Sequence, residues 1–186
     1  VVAALGDRVS HWTTFNEPWC SAYLGYASGV HAPGRQSHAD SLAAVHHLNL
    51  AHGLGGRAIQ AVLPDAKLSI TLNLHVTRAA SSDPEDLHAK RRIDGLANEV
   101  FLQPLLAGRY PQEVIEDTAS VTDWSFVQDG DLETINVPLD VLGINYYATG
   151  LVKLREGEYV PGDGTPGPDG HKSSQVSPWP AADDIE

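Results

Sequence analysis

Three short stretches gather side chains that could do chemistry: Phe15-Asn16-Glu17-Pro18-Trp19, Leu72-Asn73-Leu74-His75 and Ile144-Asn145-Tyr146-Tyr147. Together they offer one carboxylate, several amides, a phenol and an indole. Amides and carboxylates hydrogen-bond the hydroxyls of a sugar, and a flat indole covers the apolar face of its ring. A carboxyl among such groups can also carry a proton to or from a reacting oxygen. Other chemistries lack their residues. The sequence has no G-x-S-x-G nucleophile elbow, and Gly53-Leu54-Gly55-Gly56 lacks the GK[ST] ending of a phosphate loop. His46, His47 and His52 lie five and six apart across the longer gaps, not at the i, i+4 spacing that joins two metal ligands on one helix face, so they read as helix packing. Asp129-Gly130-Asp131-Leu132-Glu133 falls short of a twelve-residue calcium loop and reads as a turn into a helix. Lys90-Arg91-Arg92, set among Glu85, Asp86 and Asp94, reads as a solvated helix face rather than an anion site. No metal or cofactor is expected.

The three stretches stand at the ends of predicted strands. Residues 9–17 are rich in β-branched and aromatic types and stop at Pro18. Residues 67–76 alternate strictly, with Leu68, Ile70, Leu72, Leu74 and Val76 on one face and Lys67, Ser69, Thr71, Asn73 and His75 on the other. Residues 139–147 form the third strand. Between them, Ser37 to Asp40 resembles a capping box, and Ala44, Leu48, Ala51, Gly55, Ala58 and Val62 mark one face of a long helix closed by Pro64. A second helix runs from Pro84 to about Ala107 with Gly108 as its stop, and shorter ones cover 113–117 and start near Asp131. Residues 157–186, rich in Gly and Pro, read as an acidic loop without its own core. Strands separated by helices imply parallel βα units, for which a doubly wound sheet and a β/α barrel both remain open. In either, function collects at the C-terminal ends of the strands.

The chain has 186 residues and a net charge of −12 with histidine neutral. Such an acidic balance repels phosphate backbones and anionic lipid, so nucleic-acid and membrane-surface roles are not expected. No apolar run reaches the length of a membrane span. The lone Cys20 has no internal disulfide partner, which favours a cytoplasmic setting. A first residue of Val rather than Met suggests a chain clipped at its front.

Thr14-Phe15-Asn16-Glu17-Pro18-Trp19 resembles the T-[FL]-N-E-P signature of family 1 glycoside hydrolases, the β-glucosidase family. Five further blocks follow in the same order: 29–34, 46–53, 70–73, 108–111 and 140–147. The resemblance implies a (β/α)₈ TIM barrel of which residues 1–186 hold about the fourth to sixth strands. It implies a small β-glycoside or oligosaccharide as the partner. Glu17 then matches the acid/base of a retaining glycosidase, which must be protonated when it donates and so needs a raised pKa. Asn16 matches the amide that holds the sugar 2-hydroxyl. Asn145 and Tyr147, two apart in a strand, face one side, and the tyrosine matches one that bonds the nucleophilic carboxylate. Trp19, His31 and Asn73 match residues lining the aglycone side.

Each of these residues also has an ordinary explanation: a surface acid, a turn amide, barrel-filling polar groups, a core tryptophan. One detail strains the simple picture, because adjacent strand residues point to opposite faces and Asn16 and Glu17 can share a site only if the strand is bulged or has ended. The nucleophile of the family lies in a T-E-N-G block, and no such block occurs in the sequence. The chain alone is therefore expected neither to hydrolyse glycosides nor to bind sugar tightly. Two other readings stay open on the residues: a fragment of a 6-phospho-β-glycosidase, and a non-catalytic carbohydrate-binding protein.

Overall fold

The computed structural model describes residues 1–147, 149–155 and 158–161. A short helix α1 (Val2–Leu5) leads to strand β1 (His11–Asn16). A π-helical turn at Cys20–Leu24 and a loop follow, then the long helix α2 (His38–Val62) and strand β2 (Lys67–Asn73). Strand β3 (Val76–Ala79) precedes helix α3 (Pro84–Asp94), a π-helical stretch at Gly95–Glu99, and helices α4 (Val100–Ala107), α5 (Gln112–Asp117) and α6 (Asp131–Ile135). Strands β4 (Val141–Asn145), β5 (Thr149–Arg155) and β6 (Glu158–Pro161) complete the described chain.

Strands β1, β2 and β4 form a parallel sheet in that order, so consecutive βα units lie side by side and the sheet is not closed. Leu68, Ile70 and Leu72 of β2 are almost fully buried in its centre. Burying each such side chain contributes roughly 1.5–3 kcal/mol. Ile70 and Leu72 share one core with Phe101, Leu105 and Ile135 from the covering helices and Val45 from α2. At the N-terminal end of the sheet the Asp140 carboxylate accepts from Lys67 Nζ at 2.8 Å and from the Leu68 amide at 2.9 Å. That clamp fixes the register of β4 on β2. It places Asp140 at the end of the strand opposite the three candidate stretches.

The expected elements are present, with four differences. The alternating run 67–76 is not one strand. β2 stops at Asn73, and β3 pairs in parallel with β5 in a second sheet that ends in the β5–β6 hairpin. The break is made by Asn98, whose Oδ1 accepts from the His75 amide at 2.9 Å and whose Nδ2 donates to the His75 carbonyl at 2.8 Å. Those bonds replace the ladder partners a continuing strand would need. Second, the long helix over 84–107 contains the π-helical stretch Gly95–Glu99, which carries Asn98; its end at Gly108 is left-handed, φ 63°, as expected of a glycine stop. Third, the start of the Gly/Pro-rich stretch is strand β6; residues 162–186 of that predicted loop lie outside the described residues.

The fourth difference is the buried face of α2. It carries Ser41, Leu42, Val45, His46, Asn49, His52, Gly53 and Gly56, while Ala51, Ala58 and Val62 are exposed. The apolar pattern marks only the flank of the buried stripe, where Ala44 and Leu48 pack half-buried against the core, because the stripe itself is largely polar and small. A Cβ at Gly53 would collide with the Thr134 backbone of α6, so glycine sets how closely these helices approach. The polar members find partners inside. His46 Nε2 lies 3.0 Å from Asp131 Oδ2 and its Nδ1 3.0 Å from the Tyr110 hydroxyl. Asn49 Nδ2 donates to the Val100 carbonyl at 3.1 Å. His52 Nδ1 lies 2.6 Å from the Thr14 hydroxyl, which also reaches the Ser69 carbonyl.

His52 Nε2 is buried with no hydrogen-bond partner among the described residues, so a second ring proton would be unsatisfied there. Burial accordingly pushes the imidazole down to about 4, and His46 is lowered for the same first reason. The folded state prefers neutral imidazoles. Their contribution is complete above an ordinary histidine pKa and is lost as pH falls from about 6.5 toward 4. Urea unfolding at pH 7 and pH 4.5 should show His52 costing up to about 3 kcal/mol at the lower pH. His52→Gln should flatten that difference, and an unchanged pH dependence in the variant would exclude His52 as its source.

Candidate active site

The strain anticipated at Asn16-Glu17 is resolved by the backbone. Thr13 pairs with Ser69 but Asn16 pairs with Thr71, so β1 spends three steps where β2 spends two. The extra residue is a β-bulge at Thr14-Phe15, which changes the face that follows. Thr14 is the residue bonded to His52, so helix α2 holds the bulge in place. Glu17 then takes a left-handed conformation, φ 51°, while its amide still donates to the Thr71 carbonyl at 2.8 Å. A non-glycine residue in that region is strained, a condition that clusters at functional sites.

The turn delivers Glu17 to the C-terminal end of the sheet, where other predicted residues converge on it. Tyr147 donates its hydroxyl proton to Glu17 Oε1 at 2.6 Å, and Asn145 Nδ2 donates to the same oxygen at 2.8 Å. Asn145 Nδ2 also donates to Asn16 Oδ1 at 3.1 Å, so both adjacent residues of β1 meet the same amide from β4. Asn73, at the end of β2 between them, is buried beneath this group. The sheet order β1-β2-β4 brings five of the seven predicted residues together: Asn16, Glu17, Asn73, Asn145 and Tyr147.

The other two stand apart. Trp19 is only 5% exposed and belongs to the core. Its ring meets the site indirectly, stacked at 4.6 Å against His75 and at 5.6 Å against Tyr23. His31 is exposed on the loop before α2, held by its backbone to Leu24 and Gly34, and no side-chain hydrogen bond joins it to Glu17 among the described residues.

Two members of the cluster were not anticipated. Cys20 Sγ donates to Glu17 Oε2 at 3.4 Å, and Asn73 Nδ2 approaches both Cys20 Sγ, at 3.8 Å, and His75 Nε2, at 3.5 Å. Spacing could have signalled both. Cys20 lies three residues after Glu17 at the start of a helical turn, and His75 lies two after Asn73 on the same strand face.

The electrostatics run opposite to the expected raised pKa. The Tyr147 hydroxyl, first, and then Asn145, Cys20 and the field of His75 hold the Glu17 carboxyl below its usual value, against the partial burial that raises it. The carboxylate form is favoured because every polar group reaching it is a donor. No second carboxylate is among the groups acting on it. In reverse, Glu17 raises the Tyr147 hydroxyl, while burial lowers His75 against the pull of Glu17.

The chain that carries this geometry is similar to known proteins. A sequence model of glycosyl hydrolase family 1 matches residues 1–181. The chain belongs to that family. It is 45% identical over its whole length to a bifunctional β-D-glucosidase/β-D-fucosidase of Bifidobacterium breve, covering 37% of that protein. It is 39% identical to a β-glucosidase of an Agrobacterium species, again over the whole chain and 38% of the relative. Among solved structures, the psychrophilic β-glucosidase of Micrococcus antarcticus superposes with a TM-score of 0.77 at 44% identity, over 94% of this chain and 36% of that one. The virulence factor SghA, solved with its substrate analogue salicin, gives 0.79 at 35% identity over 95% and 37%. The chain thus spans little more than a third of the length of these relatives. Its unclosed parallel sheet is a section of the family's (β/α)₈ barrel. No helix among the described residues is long and apolar enough to cross a membrane.

Removing the strongest donor tests the charge balance directly. Tyr147→Phe should raise the Glu17 pKa, read from the side-chain carboxyl carbon in an NMR titration, with the amide spectrum otherwise unchanged. An unmoved titration would remove Tyr147 from the site.

Proposed function

We propose that this chain supplies the acid/base half of a retaining β-glucosidase that cleaves terminal β-D-glycosidic bonds by double displacement. One observation carries the reading: Glu17, left-handed at the end of a bulged strand, has its carboxylate held by Asn145 and Tyr147 at the end of β4 and its amide held by the Thr71 carbonyl of β2. In the first step Glu17 gives its proton to the glycosidic oxygen as a second carboxylate attacks the anomeric carbon. In the second it takes a proton from water, which attacks the glycosyl-enzyme and releases the sugar. Asn16 and Asn145 orient the sugar hydroxyls, and Asn73 lines the leaving-group side. Residues 1–186 act as one incomplete catalytic barrel unit, and the attacking carboxylate comes from outside them. Alone, the chain turns over no glycoside.

The names of the relatives support glucosides as the substrate class, and the acidic surface favours neutral over phosphorylated sugars. A graft tests the whole reading. Residues 1–181 are exchanged for the matching segment of the Bifidobacterium breve enzyme, and hydrolysis of an aryl β-glucoside is followed. The graft should turn over. Glu17→Gln within it should lower kcat by roughly a hundredfold or more, the usual scale of a lost general acid. Full activity of that variant would defeat the assignment, as would turnover by the isolated 186-residue chain.

A further inference from the structure

Beneath Glu17 lies a short chain of hydrogen bonds that the proposed reaction does not use. Asn73, only 8% exposed, has two amide hydrogens and directs its nitrogen at two acceptors, His75 Nε2 at 3.5 Å and Cys20 Sγ at 3.8 Å. With its sulfur accepting from the amide, the Cys20 thiol points its proton at Glu17 Oε2, 3.4 Å away. The opposite carboxylate oxygen, Oε1, is taken by Tyr147 and Asn145. The thiol is therefore the group that addresses Oε2 among the described residues. Its place is fixed by the backbone, since the Cys20 amide donates to the Glu17 carbonyl at 3.0 Å and closes the turn that begins with the left-handed glutamate. The other end of the chain is fixed too, because Asn98 grips the His75 backbone on both sides and Trp19 stacks on its ring.

We propose that Cys20 is a positioning residue for Glu17, its thiol holding the second carboxylate oxygen while Asn73, backed by His75, orients the sulfur. The inference takes its catalytic meaning from reading Glu17 as the acid/base. A thiol suits the task because it is a weak donor. It steadies the carboxyl oxygen left free by Tyr147 and Asn145 without stabilising the charged form as an ammonium would. Burial, and then Glu17 itself, raise the thiol to about 11, so it remains a protonated donor across neutral pH. The groups facing Glu17 are then Tyr147 and Asn145 after and on β4, Asn16 on β1, Cys20 on its helical turn, and Asn73 with His75 behind it from β2.

The test needs no turnover and uses the chain as it stands. The Glu17 pKa is followed by carbon NMR in the parent chain, in Cys20→Ala and in Cys20→Ser. Losing the thiol should raise it, and the serine hydroxyl should bring it back to the parent value or below. In the reciprocal arm, iodoacetamide alkylation of Cys20 is timed at pH 8.5 in the parent and in Glu17→Gln, which keeps the side-chain shape. Removing the negative charge should lower the thiol pKa. Each unit raises the thiolate fraction tenfold and lowers its nucleophilicity about threefold, so alkylation should speed up roughly threefold per unit. This arm stands even where Cys20→Ala does not fold. An unmoved Glu17 titration in a folded Cys20→Ala chain, a serine variant that behaves like alanine, or an unchanged alkylation rate would each overturn the proposal. An inactive graft beside shifted titrations would sink the β-glucosidase reading and leave this one standing.

Discussion

The left-handed turn that ends β1 at Glu17 governs what the rest of the site can do. A parallel strand presents alternate side chains to alternate faces, so Asn16 and Glu17 could not otherwise serve one site. The bulge at Thr14-Phe15 shifts the pairing by a residue, and the left-handed turn at Glu17 then lifts the glutamate to the strand end. Neither distortion is stable by itself. The first is tied from behind by His52 through the Thr14 hydroxyl. The second is closed from in front by the Cys20 amide on the Glu17 carbonyl. Backbone strain at the glutamate persists because helix, neighbouring strand and following turn all over-determine it.

The same logic places the second strand end. β2 has the alternation to run on to Val76, yet a strand that continued would commit the His75 backbone to the ladder of the first sheet. Asn98 prevents this by taking both backbone groups of His75. It can do so because a π-helical stretch carries it, with Asp94 accepting from the same amide nitrogen at 2.7 Å. π-Helical insertions inside α-helices are frequent at functional sites, where the added residue re-aims a side chain. Here the re-aimed side chain is one step removed: it shapes the strand end that carries Asn73.

What the sequence revealed and what it concealed follow from the range of the interactions involved. Strand and helix positions rest on local periodicity, and the parallel order follows from strands alternating with helices, so both were legible. The two-residue spacing of Asn145 and Tyr147 put them on one side, but that both reach Glu17 is visible only in the structure. His46 and His52 of α2 read as helix packing and are buried, but the stripe as a whole was not legible, since its polar members are satisfied by Asp131, Tyr110 and Thr14 from distant parts of the chain. The break after Asn73 was hidden for the same reason: its cause, Asn98, lies 23 residues beyond His75. Beyond its three-residue spacing from Glu17, Cys20 gives no sign of its role in the sequence, because its thiol meets Glu17 only through the turn that closes on the glutamate.

The low pKa of Glu17 is best understood as one state of an adjustable balance. Its largest lowering influence is a single hydroxyl proton, and Tyr147 has only one to give. The proposed function gives the same tyrosine a second partner, the nucleophilic carboxylate. A second carboxylate entering the site would compete for the same proton while adding a like charge. At about 5 Å and an effective dielectric near 20, that repulsion is worth about 3 kcal/mol, or roughly two pKa units. Loss of the hydroxyl and gain of the charge push Glu17 in the same direction, upward, toward the protonated form an acid needs. Asn145 and Cys20 remain on the carboxylate in either case, so the group moves in charge without moving in place. Under the proposed function, the section of barrel described here holds the geometry of the acid/base, and its acidity is set by what Tyr147 is bonded to.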